Sequence, residues 1–280
     1  MVAFTSVATS ASPQGKFQTA APRILVGRRL GWLAAVLVVL APGLHGQSAP
    51  PATPPLGAQP GELLTFSATW RLWHAGDATV RFEDVGPNRR VIFHAESAGI
   101  ASVLFPVHDH SESLYAPQAF CTLQVIKDTS EGRRKRHTAI LYHPEQQQLV
   151  LDEQNLSAKP VVSKHEVKPI PGCVLDLFSS LAYVRSLPLA VGEVYNFPVN
   201  DGGQTAEVRV VADLKERIVT PAGAFATIRT EPTVFNNQVF QRSGKMWVWF
   251  SDDARHLPVK IQAKVSWGTI TALLTKVQER

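Results

Sequence analysis

Beyond Gly61, apolar and polar residues alternate with a period of two through much of the chain. Leu64, Phe66, Ala68, Trp70 and Leu72 interleave with Thr65, Ser67, Thr69 and Arg71. After His74-Ala75-Gly76, the residues Ala78, Val80 and Phe82 alternate with Asp77, Thr79, Arg81 and Glu83. Neighbouring side chains on a strand point to opposite faces, so these runs predict a hairpin with one buried face. The signature returns at Ala206, Val208, Val210 and Ala212, and at Val259, Ile261, Ala263 and Val265. Weaker alternation marks 90–97, 108–115, 120–128, 136–143, 147–152, 159–167, 226–235 and 239–250. Gly86-Pro87-Asn88, Glu131-Gly132, Asp201-Gly202-Gly203 and Pro221-Ala222-Gly223 punctuate the runs as turns. Short strands in succession predict an all-β, mainly antiparallel fold: a curled sheet, a barrel or a two-layer sandwich. Strand-helix alternation is absent, which disfavours a doubly wound α/β fold.

One segment has helical spacing. Val174, Leu177, Phe178, Leu181, Ala182 and Val184 fall on one face, Pro171-Gly172 precedes them and Pro188 follows. The spacing predicts one principal helix near 175–187, with Asp176 as its N-cap. A shorter helical turn fits Ile100 to Leu104.

The first 60 residues follow other rules. Arg23, Arg28 and Arg29 precede an apolar run from Leu30 to Leu40, then small residues to Gly46. A basic start, a short apolar centre and a small-residue exit predict a cleavable export signal over 1–46. The run is shorter than the roughly 20 residues that a bilayer span needs. No cysteine lies near the exit, so the expectation is a periplasmic or otherwise exported protein without a lipid anchor. Residues 47–60 carry Pro50, Pro51, Pro54, Pro55 and Pro60 and predict an extended linker. Residues 61–280 then form a single β-rich domain, with no transmembrane span in the mature chain.

Charge supports that division. The 280-residue chain has 28 basic and 23 acidic residues, a net charge of +5. Residues 1–46 hold Lys16, Arg23, Arg28 and Arg29 and no acidic residue, so removing them leaves 24 basic against 23 acidic residues, net +1. The basic balance is therefore a targeting signal, and nucleic acid is not an expected partner.

Several segments together resemble a known family. They are Gly61-Glu62-Leu63-Leu64-Thr65-Phe66 with Trp70 and Ala75-Gly76-Asp77-Ala78, then Asp109-His110-Ser111-Glu112-Ser113 and the helical segment Val174 to Arg185. Val219-Thr220-Pro221-Ala222-Gly223-Ala224-Phe225 follows, and then Met246-Trp247-Val248-Trp249-Phe250-Ser251-Asp252-Asp253-Ala254-Arg255-His256-Leu257-Pro258. The set resembles the DUF3108 family of bacterial exported proteins over roughly 61–278. The resemblance implies an envelope domain of unknown function and supplies no catalytic residues.

The candidate chemistry is sparse. Trp70, Phe178, Trp247, Trp249 and Trp267 are candidates to line a groove for an amphipathic ligand, a lipid or a glycan. Large aromatics also dominate ordinary cores. Arg133, Arg134, Lys135 and Arg136 are candidates to contact an anion, or to form a solvated strand edge. Cys121 and Cys173 could form a disulfide or stay as two buried thiols. His108, His110 and Glu112 share one strand face and could serve a metal, although no second ligand cluster is visible. Asp252, Asp253 and His256 could be the carboxylates and base of an envelope hydrolase, although a turn explains the same residue types. No cofactor is expected. The leading expectation is a non-catalytic module that binds or carries an amphipathic ligand; a hydrolase and a scaffold for an envelope protein partner are the alternatives.

Overall fold

The computed structural model describes residues 57–71, 73–234, 245–265 and 268–279. The predicted leader and most of the predicted linker lie outside them.

Fourteen strands form one sheet among these residues. In chain order they are β1 (Leu63–Trp70), β2 (Trp73–Val85), β3 (Asn88–Ser97), β4 (Val107–Ala116), β5 (Cys121–Glu131), β6 (Arg134–His143) and β7 (Gln148–Asn155). Then come β8 (Val162–Pro169), β9 (Val194–Asp201), β10 (Gln204–Thr220), β11 (Gly223–Val234), β12 (Lys245–Ser251), β13 (Pro258–Val265) and β14 (Gly268–Gln278). Helix α1 (Gly99–Leu104) lies between β3 and β4, and α2 (Leu177–Ser186) between β8 and β9. The spatial order runs from β8 back to β1, then from β14 back to β9. Every neighbouring pair is antiparallel, and β1 pairs β14 to join the two halves.

The sheet rolls until its last strand, β9, faces β5 and β6. Tyr142 on β6 donates to Asn200 on β9 at 3.0 Å, and Lys127 on β5 pairs with Asp201 on β9 at 2.5 Å. The segment before α2 fills the seam. Thr122 N donates to Val174 O (2.9 Å), Leu175 N donates to Pro198 O (3.0 Å), and Asn200 N donates to Leu175 O (2.7 Å). Leu175 and Val199 form an isolated parallel bridge. Such pairing satisfies backbone groups that an open edge would leave bare. The choice left open by alternation, barrel or sandwich, is thus settled as a rolled, barrel-like sheet.

The period-two expectation holds for the fold class, and the inner face is the predicted one. Leu64, Phe66, Val80 and Phe82 are buried together, as their spacing requires. Two strands escaped the alternation. In β9, Pro198 weakens the strand signal, yet an edge strand tolerates a missing N–H. In β14, Leu273 between Ala272 and Leu274 blurs the period.

Helix α2 begins at its predicted cap. Asp176 Oδ1 accepts from Phe178 N at 2.8 Å, and the Ser179 hydroxyl accepts from Asp176 N at 2.8 Å, a reciprocal capping box. Asp176 Oδ2 also accepts from the Ser113 hydroxyl at 2.5 Å and the Thr122 hydroxyl at 2.9 Å. The helix start is thereby tied to β4 and β5. The helix sits between two core clusters. Phe178 and Ala182 pack with Leu64, Phe66, Phe82, Val91 and Leu274. Val184 packs with Phe197, Val208, Val210, Ile228 and Phe250.

Candidate functional site

Two regions of the barrel interior differ. At the α2 end, inner-facing side chains are filled in. Leu64, Phe82, Val91, Val259 and Leu274 are fully buried. Further along the same strands and on the same faces, burial fades. Ala68 and Trp70 on β1, Phe93 and Ala95 on β3, Met246 on β12, Ile261 and Ala263 on β13, and Ile270 and Ala272 on β14 are only half-buried. Register explains which side chains adjoin. Trp70 pairs with Ile270, Ile270 with Ala263, and Ala263 with Met246, so these four form one inner-facing row near the strand ends. Phe178 on α2 contacts Phe93 with ring centroids 5.1 Å apart, where the filled part meets the half-exposed part.

One wall of this region is polar. Asp109, Lys127 and Thr129 continue the inner faces of β4 and β5 beyond Ser113 and Val125. Asp109 Oδ1 accepts from Ser130 N at 3.0 Å. Burial pushes the Asp109 carboxyl above the ordinary carboxylate range, and the nearby Glu131 charge adds to the rise.

The opposite end is held by a buried ion pair. Arg185, on the last turn of α2, is fully buried and grips Glu62 through two bonds of 2.5 and 2.9 Å. Its remaining donors reach Arg255 O (3.2 and 3.3 Å) and Gly57 O (3.4 Å). A guanidinium can be buried when its fork of donors is satisfied this way. Sequence reading missed this pair because its partners are 123 residues apart. The only available signal was one arginine in an otherwise uncharged helix.

The aromatic candidates divide between faces. Trp70 and Phe178 lie inside. Trp247 and Trp249 lie outside, because Val248 and Phe250 take the inner positions of β12. Trp249 is nevertheless buried (3% exposed). Lys260 Nζ sits 4.1 Å from its ring centroid, Arg229 flanks it at 6.0 Å, and its Nε1 donates to Glu216 at 2.5 Å. Charged stems thus cover an outward tryptophan. Trp247 donates to Glu231 at 3.1 Å. The two do not line the interior, and alternation along β12 is the reason. Trp267 lies outside the described residues.

The other candidates fall as follows. Cys121 and Cys173 are disulfide-bonded, Cα–Cα 5.1 Å, tying β5 to the segment before α2. His108, His110 and Glu112 share the outer face of β4. His110 Nε2 lies 3.1 Å from Glu112, whose carboxylate also accepts from Arg90 at 2.9 Å. The Arg90 bond holds the Glu112 carboxyl below its ordinary value. His108 instead lies 3.9 Å from Glu96. Among the described residues, no group of three or more His, Cys, Asp and Glu side chains is arranged to hold a metal.

Asp252, Asp253 and His256 have separate tasks. Asp252 pairs with Lys215 at 2.7 Å. Asp253 accepts from the Ser251 hydroxyl (2.8 Å) and Arg255 N (3.0 Å), which closes the β12–β13 turn. His256 Nδ1 contacts Arg185 O at 3.0 Å, and burial pulls its pKa down. They form a turn and a helix clamp, and the Ser251 hydroxyl is part of the turn.

Around the far strand ends, the rim carries exposed apolar side chains that sequence reading did not single out. Trp73 is 65% exposed, and none of α1 is buried: Ile100, Val103 and Leu104 are 59%, 82% and 69% exposed. An uncharged run, Ile100 to Pro106, was the available signal. The β5–β6 hairpin with Arg133, Arg134 and Lys135 adjoins this helix. Gly132 N donates to Pro106 O at 2.7 Å. Gly132 has φ +60°, and a Cβ there would meet the Phe105 ring at 2.9 Å, so glycine suits both the turn and the contact. Arg136 pairs with Glu153 at 3.4 Å.

A single antiparallel sheet rolled around one helix defines a β-barrel-like protein. The chain belongs to the DUF3108 family, proteins of unknown function, whose model matches residues 65–275. A β-barrel-like DUF1849 protein from Brucella abortus has a similar structure, with TM-score 0.54 and 8% identity over 78% of this chain and 97% of that one. A candidate exported protein with a YmcC-like fold from Bacteroides fragilis matches with TM-score 0.32 and 12% identity, over 80% of this chain and 99% of that one. A candidate lipoprotein from Parabacteroides distasonis matches with TM-score 0.30 and 9% identity, over 79% of this chain and 96% of that one. No curated protein matches the chain in sequence. Among the described residues, no helix is long and apolar enough to cross a membrane.

Proposed function

We propose that this is an exported envelope protein whose barrel holds an amphipathic lipid in its half-filled end. The observation that carries the reading is the burial gradient on the inner face, from Leu64 at 0% exposed to the half-buried Trp70 on the same strand. Water against a row of Trp70, Ile270, Ala263 and Met246 is unfavourable, and an acyl chain would relieve it. Lys127, Asp109 and Thr129 offer a polar wall for a headgroup. The basic, apolar leader supports export. The role is binding without catalysis.

The test is native mass spectrometry and solvent extraction of the full chain purified from its own envelope. A co-purifying lipid is expected, and Trp70→Lys should remove it while the fold stays intact by circular dichroism. Repeated recovery of empty protein, together with no uptake of a fluorescent fatty acid, sinks the reading.

A further inference from the structure

We propose that the rim formed by α1 and the β5–β6 hairpin docks on an anionic lipid surface. This goes beyond the lipid-binding reading and does not depend on whether the interior is occupied.

Three observations converge. Helix α1 spends six residues on a turn with no buried side chain and no charge, and Val103 and Leu104 are its most exposed positions. Exposing such side chains together on one turn is unfavourable in water, and a contiguous apolar patch of this kind marks an interaction surface. Second, the cations lie beside them: Gly132 N bonds Pro106 O, so the basic tip begins where the apolar helix ends. Third, the cations are available. Arg133, Arg134 and Lys135 are exposed and have no ion-pair partner among the described residues. Glu131 is the backbone partner of Arg134 in the hairpin, yet the two form no ion pair.

The patch continues past the hairpin. Leu156 N donates to Lys135 O at 2.9 Å, and Lys135 N donates to the Ser157 hydroxyl at 2.5 Å. Leu156 is itself 46% exposed. Apolar side chains on both sides of unpaired cations match a bilayer surface, where the chains enter the acyl boundary and the cations meet phosphates.

The experiment places a reporter on the rim of the full chain. The two native cysteines are bonded, so Val103→Cys supplies one thiol for an environment-sensitive dye. On phosphatidylcholine vesicles containing phosphatidylglycerol, the dye emission should shift to the blue. Arg133→Gln, Arg134→Gln and Lys135→Gln together should weaken that response on the order of a hundredfold in lipid concentration. Raised salt should weaken it as well. The leader is common to both proteins, so the difference reads the rim alone. The proposal is overturned by an absent shift, or by a shift equal on pure phosphatidylcholine and unchanged in the triple variant. It is equally overturned by a shift that grows with protein concentration without lipid, which would mean a second copy covers the rim. Unchanged circular dichroism keeps a folding defect from imitating a loss. Lipid extraction remains a separate measurement, so either idea can fail alone.

Discussion

The two ends of the barrel use their residues in opposite ways. At the α2 end, charge is buried, doubly bonded and surrounded by filled core, as with Arg185 against Glu62. At the other end, Arg133 to Lys135 are exposed with no ion-pair partner among the described residues, and apolar side chains remain partly open to water. One end resembles a domain core; the other resembles a surface awaiting an occupant. Filled core and half-buried lining are thus separated along the strands of a single sheet, so the same strand carries both within a few residues.

The buried pair carries the heaviest load at the α2 end. Arg185→Met leaves Glu62 buried without its partner and should cost about 3–5 kcal/mol in denaturant unfolding. Adding Glu62→Leu should recover much of the loss, because a well-packed apolar pair replaces two desolvated charges. If Arg185→Met proves neutral, the helix is not held by this pair.

The disulfide comes next. Its loop spans 52 residues, and the chain-entropy relation gives about 4 kcal/mol at that length. Strain and residual structure in the unfolded chain usually lower such values. Cys173→Ser should therefore destabilise the chain by no more than this, read as a lower denaturation midpoint against the parent under oxidising conditions.

A matched pair of truncations then compares the two ends directly. Leu64→Ala, in the filled end, should cost about 3 kcal/mol. Trp70→Ala removes a larger side chain from the same face of the same strand, yet should cost only about 1 kcal/mol, since it is half-buried. Equal losses in urea unfolding would show that both ends are packed alike.

Titration gives the smallest contrast, with opposite signs. Burial lowers the His256 pKa, so protonation is disfavoured in the folded state. Its stabilisation is present above the ordinary imidazole value and is lost as pH falls through that value toward the lowered one. Burial raises the Asp109 pKa, so that group favours the folded state while protonated. Its stabilisation is present below the ordinary carboxylate range and is lost as pH rises toward the raised value. His256→Gln should flatten the acid side of a stability–pH profile. Asp109→Asn should raise stability at neutral pH. Identical pH profiles for the parent and both variants would remove the electrostatic part of the contrast.

Much of the architecture was readable because its cause is local. Leu64, Phe66, Val80 and Phe82 announce a face by spacing alone, and Asp176 announces a helix start because a free backbone N–H needs an acceptor nearby in sequence. The site was less readable. Trp249 has the same local pattern as a lining aromatic, and only its neighbours on β11 and β13 reveal that it faces outward beneath Lys260 and Arg229. His108 and His110 do share a strand face, yet His108 lies near Glu96 on β3 while His110 lies beside Glu112 on its own strand.

An antiparallel β-rich chain with one capped helix could be read from the residues alone, as could the basic, apolar first 46 residues and a nearly neutral remainder, because periodicity, capping and composition act over a few residues. The rolling of the sheet, the filling of one end by α2, the meeting of Arg185 with Glu62 and that of α1 with the basic hairpin could not be read there. Those outcomes depend on contacts between residues far apart in the chain, and a period of two says which face a side chain takes but not what stands opposite it.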